Sequence, residues 1–324
     1  MCTAISYRTK DHYFGRNLDY EHSYDEQIII SPRTFPFHFK KTSTISSHYA
    51  IIGMAAIRDN YPLYYDGVNE KGLSMAGLLF SGYAHYHSVK PRYDNITPFE
   101  LIPWILSQCE SICQAKELLK SVNIVDIPFS SDLPLSPLHW IISDKDESIV
   151  VESVSDGLFV YDNPTNVLTN NPPFPMQLFN LNNYISLSPH SPQNTFSEKL
   201  QLSPYSRGMG AMGMPGDLSS SSRFVRSAFT LLNSVSGESE QESVSQFFHI
   251  LGCTAQQRGC VHMGKDLYEI TLYSSCMNAT KGIYYYTTYN NSRISAVDMH
   301  KENLDSDTLK IFPLKKDWSV LFQN

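Results

Sequence analysis

The chain has 324 residues, 42% of them hydrophobic and 18% charged, with a formal net charge of -7. That balance excludes a disordered chain and leaves enough apolar surface for a sizeable core. The mild negative charge argues against a nucleic-acid binder, which would carry a basic face. No apolar run approaches the ~18 residues that span a bilayer, so no membrane partner is expected. The N-terminal MCTAISYRTKDHYFGR lacks the basic-then-apolar order of a secretory signal. The expected location is the cytoplasm, where Cys2, Cys109, Cys113, Cys253, Cys260 and Cys276 are expected as free thiols.

In chain order, residues 3–7 and 13–18 alternate as two strands of a hairpin around a polar turn at Lys10 and Asp11. Residues 28–30, 49–57 and 73–80 are rich in apolar and β-branched side chains and read as further strands. Helical patterns follow over 98–108 and 112–122, then strands over 138–143, 148–151 and 157–161. Residues 176–184, 222–232 and 243–251 read as helices, and strands return over 268–273, 282–289 and 294–297. Strands at both ends with helices between them predict an α+β layered fold of two stacked sheets flanked by helices. No stretch reads as an interdomain linker, so residues 1–324 are expected to form one domain. Residues 186–222, rich in Ser, Pro, Gly and Met, are irregular. A stretch of that length is expected to be functional or to pack on another subunit.

Cys2 stands out by position. Its side chain is small enough for the initiator methionine to be removed, which leaves one residue with both a thiol and a free α-amine. Their reference pKa values are about 8.5 and about 7.7–8.0, so the amine can serve as the base for its own nucleophile. With the turn centred between Lys10 and Asp11, Cys2 falls opposite Asp19, close enough for the carboxylate to hold the amine. Arg16 would then face away unless a bulge at Gly15 turns it back, in which case it would favour the thiolate.

The opening MCTAI, YFGRNLDY at 13–20, LTNNP at 168–172, MPGD at 214–217, SRFVR at 222–226, QFFHIL at 246–251 and KGIYYY at 281–286 resemble the choloylglycine hydrolase family. These blocks span nearly the whole chain in family order. The resemblance implies a four-layer αββα N-terminal-nucleophile hydrolase sandwich. It implies hydrolysis of the amide of glycine- or taurine-conjugated bile salts, without cofactor or metal, by a homotetramer whose 186–222 segments pack together. The sequence is more similar to the family's bile salt hydrolases of intestinal lactic-acid bacteria than to its penicillin V acylases. Penicillin V acylase activity and a non-catalytic ligand-binding relative with Met1 retained stand as alternatives. Carried over by residue, Cys2 is implied as nucleophile and base, supported by Arg16 and Asp19. Asn170 is implied as an oxyanion donor with Asn171 beside it, and Arg223 as a second active-site arginine. The other oxyanion donor is implied to be the backbone N–H of Leu79. Where bile salt hydrolases read AGLNF, residues 76–80 read AGLLF, so Leu79 lacks the usual side-chain amide. Tyr20, Tyr24, Tyr65 and residues 127–135 are candidates for lining the substrate cleft.

Other signals point away from alternative chemistry. GMGAMG at 208–213 matches a dinucleotide fingerprint, but no apolar strand precedes it and Pro215 blocks an immediate helix. Cys109 and Cys113 lack a second pair with metal-ligand spacing, as do His85, His87, His139 and His249.

Overall fold

The computed structural model describes residues 1–324. The chain begins with β1 (Cys2–Arg8), β2 (His12–Tyr20), β3 (Gln27–Ser31), β4 (Ile51–Arg58), β5 (Tyr61–Asn69), β6 (Ser74–Leu79) and β7 (Asp94–Ile96). Then come α1 (Leu101–Gln108), α2 (Ile112–Leu119), β8 (Val122–Ile124), β9 (Leu138–Ser143), β10 (Ser148–Val154), β11 (Gly157–Asp162), β12 (Val167–Leu168) and α3 (Phe174–Asn180). The last part holds α4 (Ser220–Asn233), α5 (Glu240–Gly252), β13 (His262–Gly264), β14 (Leu267–Tyr268), β15 (Ile270–Asn278), β16 (Ile283–Thr288), β17 (Asn291–Asp298) and β18 (Lys310–Pro313).

Two antiparallel sheets carry the fold. One has six strands in the order β12-β1-β2-β15-β16-β17, and the other eight in the order β11-β10-β9-β6-β5-β4-β3-β18. Between them, Ala4 and Phe14 of the first sheet meet Ile52, Ile141 and Val150 of the second in one apolar core. On the outer face of the eight-stranded sheet, Ile105 and Ile112 of α1 and α2 pack with Met75, Trp140 and Ile142. On the outer face of the other, Phe224 and Ala228 of α4 and Phe247 and Ile250 of α5 are buried with the same core as Ile5. The result is the four-layer αββα sandwich, with β1 and β2 covered on both faces. That double cover explains why nearly every residue of the hairpin is buried. The outer helices α4 and α5 start on serine caps, and Ser239 and Glu242 complete a capping box.

The hairpin register differs from the sequence expectation by one residue. The turn centres on Lys10, so Cys2 lies opposite Leu18 and Ala4 opposite Arg16, while Asp19 pairs with Met1. Because side-chain period is two, that single step changes which residues share a face. Arg16 and Cys2 are brought to the same face, toward the eight-stranded sheet, without any bulge at Gly15. Asp19 goes to the helix-covered face with Thr3 and Asn17. Gly15 is required for a different reason: a Cβ there would collide with the Ser275 carbonyl of β15. The irregularity lies on the neighbouring strand, where Leu272 is the extra residue between Thr271 and Tyr273.

Strand β5 has no counterpart in the sequence reading. Pro62 and Asp66-Gly67 are turn formers by composition, yet Pro62 sits at the mouth of the β4–β5 hairpin opposite Ile57. Asp66 is held by the hydroxyls of Tyr273 (2.9 Å) and Tyr284 (2.7 Å) from the facing sheet. Tertiary partners override local preference there. The segment 186–222 is irregular apart from a short 3-10 turn at Met209–Ala211, and no strand precedes its glycines.

Candidate active site

The site is built where β6 leaves β5. Pairing between these strands ends at Asp66 with Ala76, whereas β6 continues along β9 as far as Leu79 with Leu138. A gap therefore opens beside Tyr65 and Gly77. Tyr65 is itself the extra residue of a β-bulge, since Met54 pairs with Asp66 but Ala55 with Tyr64. Arg16 reaches across from the other sheet and donates through Nη1 to the carbonyls of Tyr65 (3.1 Å) and Gly77. Burial works against its charge, but the Cys2 sulfur, Tyr273 and Asp66 outweigh burial and hold its pKa above the ordinary arginine value. Beneath it, burial pushes the Asp66 carboxyl upward despite the guanidinium and the two tyrosines.

The start of β1 is fixed from the opposite side. The Cys2 N–H donates to Asn170 Oδ1 at 2.8 Å, and Asn170 Nδ2 donates to the Leu79 carbonyl at 2.7 Å. Asn170 thus bridges the hairpin and β6. Arg223, fully buried at the beginning of α4, donates to Asn170 Oδ1 (2.7 Å), Thr3 Oγ1 (2.7 Å) and the Cys2 carbonyl. Burial lowers its pKa, with Asp19 and Cys2 opposing. Phe80 N–H bonds to the carbonyl of Pro137, the residue just before β9. By the alternation of an antiparallel ladder, Leu79 directs its N–H and C=O away from β9, toward the gap.

Asp19 accepts a 2.6 Å hydrogen bond from Thr271 at Oδ1, while its buried Oδ2 has no hydrogen-bond partner. Burial raises its pKa, against the pull of Arg223, the terminal amine and Thr271. In the unprocessed chain the Met1 amine donates to the Asp19 carbonyl at 2.9 Å and lies against the buried Glu269 carboxylate. Burial lowers the pKa of that amine.

Cys2, Arg16, Leu79, Tyr20, Tyr24 and Tyr65 line one cavity of about 400 Å³, in which 14 of 22 lining residues are hydrophobic. Phe129, Leu133, Pro134 and Leu135 of the 127–135 loop line it as well. Asn170 and Arg223 stand behind the Cys2 backbone. Asn171 is not brought into the group: it is exposed and lies outside the cavity. The Asp19 side chain lies on the far face of the hairpin instead of directly opposite Cys2, because the register is one step from the expected one.

Sequence reasoning missed several neighbours. Leu18, His22, Arg58, Phe99 and Leu138 also line the cavity, and Glu269 meets the chain terminus. Leu18 was legible once the register was known, since it shares a face with Cys2. His22 joins Tyr20 and Tyr24 in an aromatic cluster with ring centroids 4.6–5.6 Å apart, and its alternation with them on residues 20, 22 and 24 is the signal that could have found it.

A four-layer αββα sandwich with two stacked antiparallel sheets is the N-terminal-nucleophile hydrolase fold. The chain belongs to the choloylglycine hydrolase family of linear amide C-N hydrolases, whose model matches residues 2–312. It is 56% identical to a bile salt hydrolase/transferase of Lactiplantibacillus plantarum over 98% of both chains. Its structure is similar to that of a conjugated bile acid hydrolase from Clostridium perfringens, with a TM-score of 0.93, 40% identity and full coverage of both chains. A penicillin V acylase from Agrobacterium tumefaciens shares the fold at a TM-score of 0.76 and 19% identity, covering 96% of this chain and 91% of that one.

Proposed function

We propose that this chain hydrolyses the amide bond between a bile acid and glycine or taurine, with Cys2 as the N-terminal nucleophile. The observation that carries the reading is the Cys2–Asn170–Leu79 bridge at the edge of a largely apolar cavity. The relatives' bile salt substrates fit its chemistry, a large apolar body with one amide to cleave.

Removal of Met1 converts the Cys2 N–H into an α-amine that Asn170 Oδ1 can hold. The amine takes the thiol proton, and Sγ attacks the substrate carbonyl carbon. Charge develops on the carbonyl oxygen, where the Leu79 N–H and the second hydrogen of Asn170 Nδ2 are the donors; the first is already given to Leu79 O. Arg16 stabilises the thiolate, and Arg223 orients Asn170. As the C–N bond breaks, the ammonium returns its proton to the departing glycine or taurine nitrogen. Water, deprotonated by the amine, then cleaves the thioester and regenerates the thiol. This sequence balances without a metal or a cofactor. The unpartnered Asp19 Oδ2 is a further acceptor for the new amine, and Tyr20, Tyr24 and Tyr65 are contacts for the bile acid.

The exposed Phe196, Tyr205 and Met212 of the 186–222 segment support burial against neighbouring subunits, giving a homotetramer of chains that each act as a single domain over 1–324. The free state of all six cysteines supports a cytoplasmic location, and no helix is long and apolar enough to cross a membrane. Light scattering that finds a stable monomer at micromolar concentration removes the tetramer.

Assay of glycocholate, taurocholate and penicillin V under identical conditions tests the substrate. Faster turnover of either bile salt is the expected result. Turnover of penicillin V alone moves the chain to acylase chemistry, and turnover of none moves it to the non-catalytic alternative.

A further inference from the structure

One buried ionisable pair lies beside this site and takes no part in the steps above. His139 and Glu152 are 0% and 1% exposed, with Nδ1 and Oε1 3.1 Å apart. Two apolar residues of similar volume would fill the space without the desolvation cost of such a pair, so its contacts are informative. His139 Nε2 bonds to the Thr169 carbonyl at 3.0 Å, and a carbonyl only accepts, so this nitrogen carries a proton. A second proton lies between Nδ1 and Glu152 Oε1, whichever atom holds it. The same Oε1 accepts the Phe174 N–H at 2.9 Å, while Oε2 has no partner.

Those two backbone contacts bracket the loop that carries Asn170: Thr169 precedes it and Phe174 opens α3. The pair is equally tied to the strand that carries Leu79. His139 lies opposite Leu78 in the β6–β9 register, and its ring stacks on Phe80 with centroids 4.3 Å apart and planes 6° from parallel. Both proposed oxyanion donors are therefore one residue from an atom or ring that His139 touches. Ser220 and Gln177 hold the Asn170 backbone from the α4 and α3 side, but neither reaches β6.

We infer that His139 and Glu152 are positioning residues that set the distance between the Asn170 amide and the Leu79 N–H, and so the geometry of the oxyanion site. The inference rests on the acyl-transfer reading above. Oxyanion stabilisation acts in the transition state, so its misalignment lowers kcat more than it changes KM. It leaves untouched the direct alkylation of the thiol, which forms no oxyanion.

The test compares wild type, Glu152→Gln and His139→Leu, each checked for a native near-UV spectrum. In Glu152→Gln, the amide oxygen can accept from both His139 and Phe174 only if His139 stays charged without a carboxylate beside it; with neutral His139 the amide nitrogen must donate to Nδ1 and cannot accept from Phe174. With glycocholate and penicillin V as substrates, kcat should fall at least about tenfold in Glu152→Gln and about a hundredfold in His139→Leu, the scale of a misplacement near 1 Å. KM and the rate of Cys2 alkylation by iodoacetamide should stay within about twofold. Unchanged kcat in the folded Glu152→Gln variant overturns the inference. So does an alkylation rate that falls in step with kcat, which would mean general loosening of the Cys2 site. If the wild type turns over only penicillin V, the bile salt reading falls while the same variant comparison on penicillin V still decides this one. If it turns over neither, both fall.

Discussion

The two ends of the β1–β2 hairpin use similar residues to different effect. At the turn end, Arg8 donates to the carbonyls of Lys145, Asp144 and Glu147 and to the side chains of Asn166, Ser143 and Ser148. Beside it, His12 Nε2 shares Ser6 and Ser143 as partners at 3.0 and 3.2 Å. At the other end, Arg16 and Arg223 also bind backbone carbonyls, but around a thiol, an unpartnered carboxylate oxygen and a cavity of about 400 Å³. Arginines on backbone carbonyls are thus a joinery common to both ends, half-buried at Arg8 and fully buried at Arg16 and Arg223. Open space beside a thiol is what distinguishes the end proposed to be active.

The largest expected break in that comparison is Cys2→Ala, which should abolish hydrolysis and leave the fold intact, as read by turnover and circular dichroism. Cys2→Ser should also be severely impaired, because an alcohol is a poor substitute in a site arranged for thiolate. Next, Asn170→Ala should lower kcat by about 10²–10³, the usual effect of removing one oxyanion donor. At the opposite end, Arg8→Met should lower the unfolding midpoint while kcat per folded molecule stays the same. A fall in kcat equal to that of an active-end variant would erase the distinction between the ends.

Leu79→Asn sharpens the contrast within the cavity. The backbone N–H persists, and the new amide regains about 0.5–1.5 kcal/mol of hydrogen bonding to substrate, a few-fold to roughly tenfold in rate. Catalytic efficiency on conjugated bile salts should rise, with less effect on penicillin V; an unchanged ratio, or one shifted toward penicillin V, refutes this account of Leu79. The smallest effect on chemistry belongs to His12, whose pKa is pushed down to about 3 by burial, with Arg8 nearby. Its folded value lies below the unfolded one, so between about pH 6.5 and pH 3 only the unfolded chain takes up the proton. Stability should therefore decline as pH falls through that window, and His12→Gln should flatten the decline in denaturant titrations without altering kcat.

The sequence made the layered architecture legible because most strands and the outer helices carry clean apolar patterns. It also led to Cys2, Arg16, Leu79 and the tyrosines, which the structure gathers at one cavity. The rest depended on contacts distant in the chain. Strand β5 was hidden by Pro62 and Asp66-Gly67, whose polar character is absorbed by tyrosines more than 200 residues away. The one-residue register step followed from a turn centred on Lys10 instead of beside it, a difference composition does not encode. It reversed the expected placement of Arg16 and Asp19 and made the Gly15 bulge unnecessary. His139 carried no signal in the sequence beyond its lack of metal-ligand spacing, because its partners, Glu152 and the Thr169 carbonyl, are brought to it only by the sheet and the loop.

The central claim is that the amine and thiol of a processed Cys2 perform the chemistry. Intact-mass analysis of active enzyme, before and after stoichiometric iodoacetamide treatment, tests it most directly. The active chain should lack Met1, and hydrolysis should fall in proportion to labelling of Cys2, whatever label the exposed Cys113 and Cys260 take up. Full hydrolytic activity in a chain that retains Met1, or in one fully alkylated at Cys2, would contradict it.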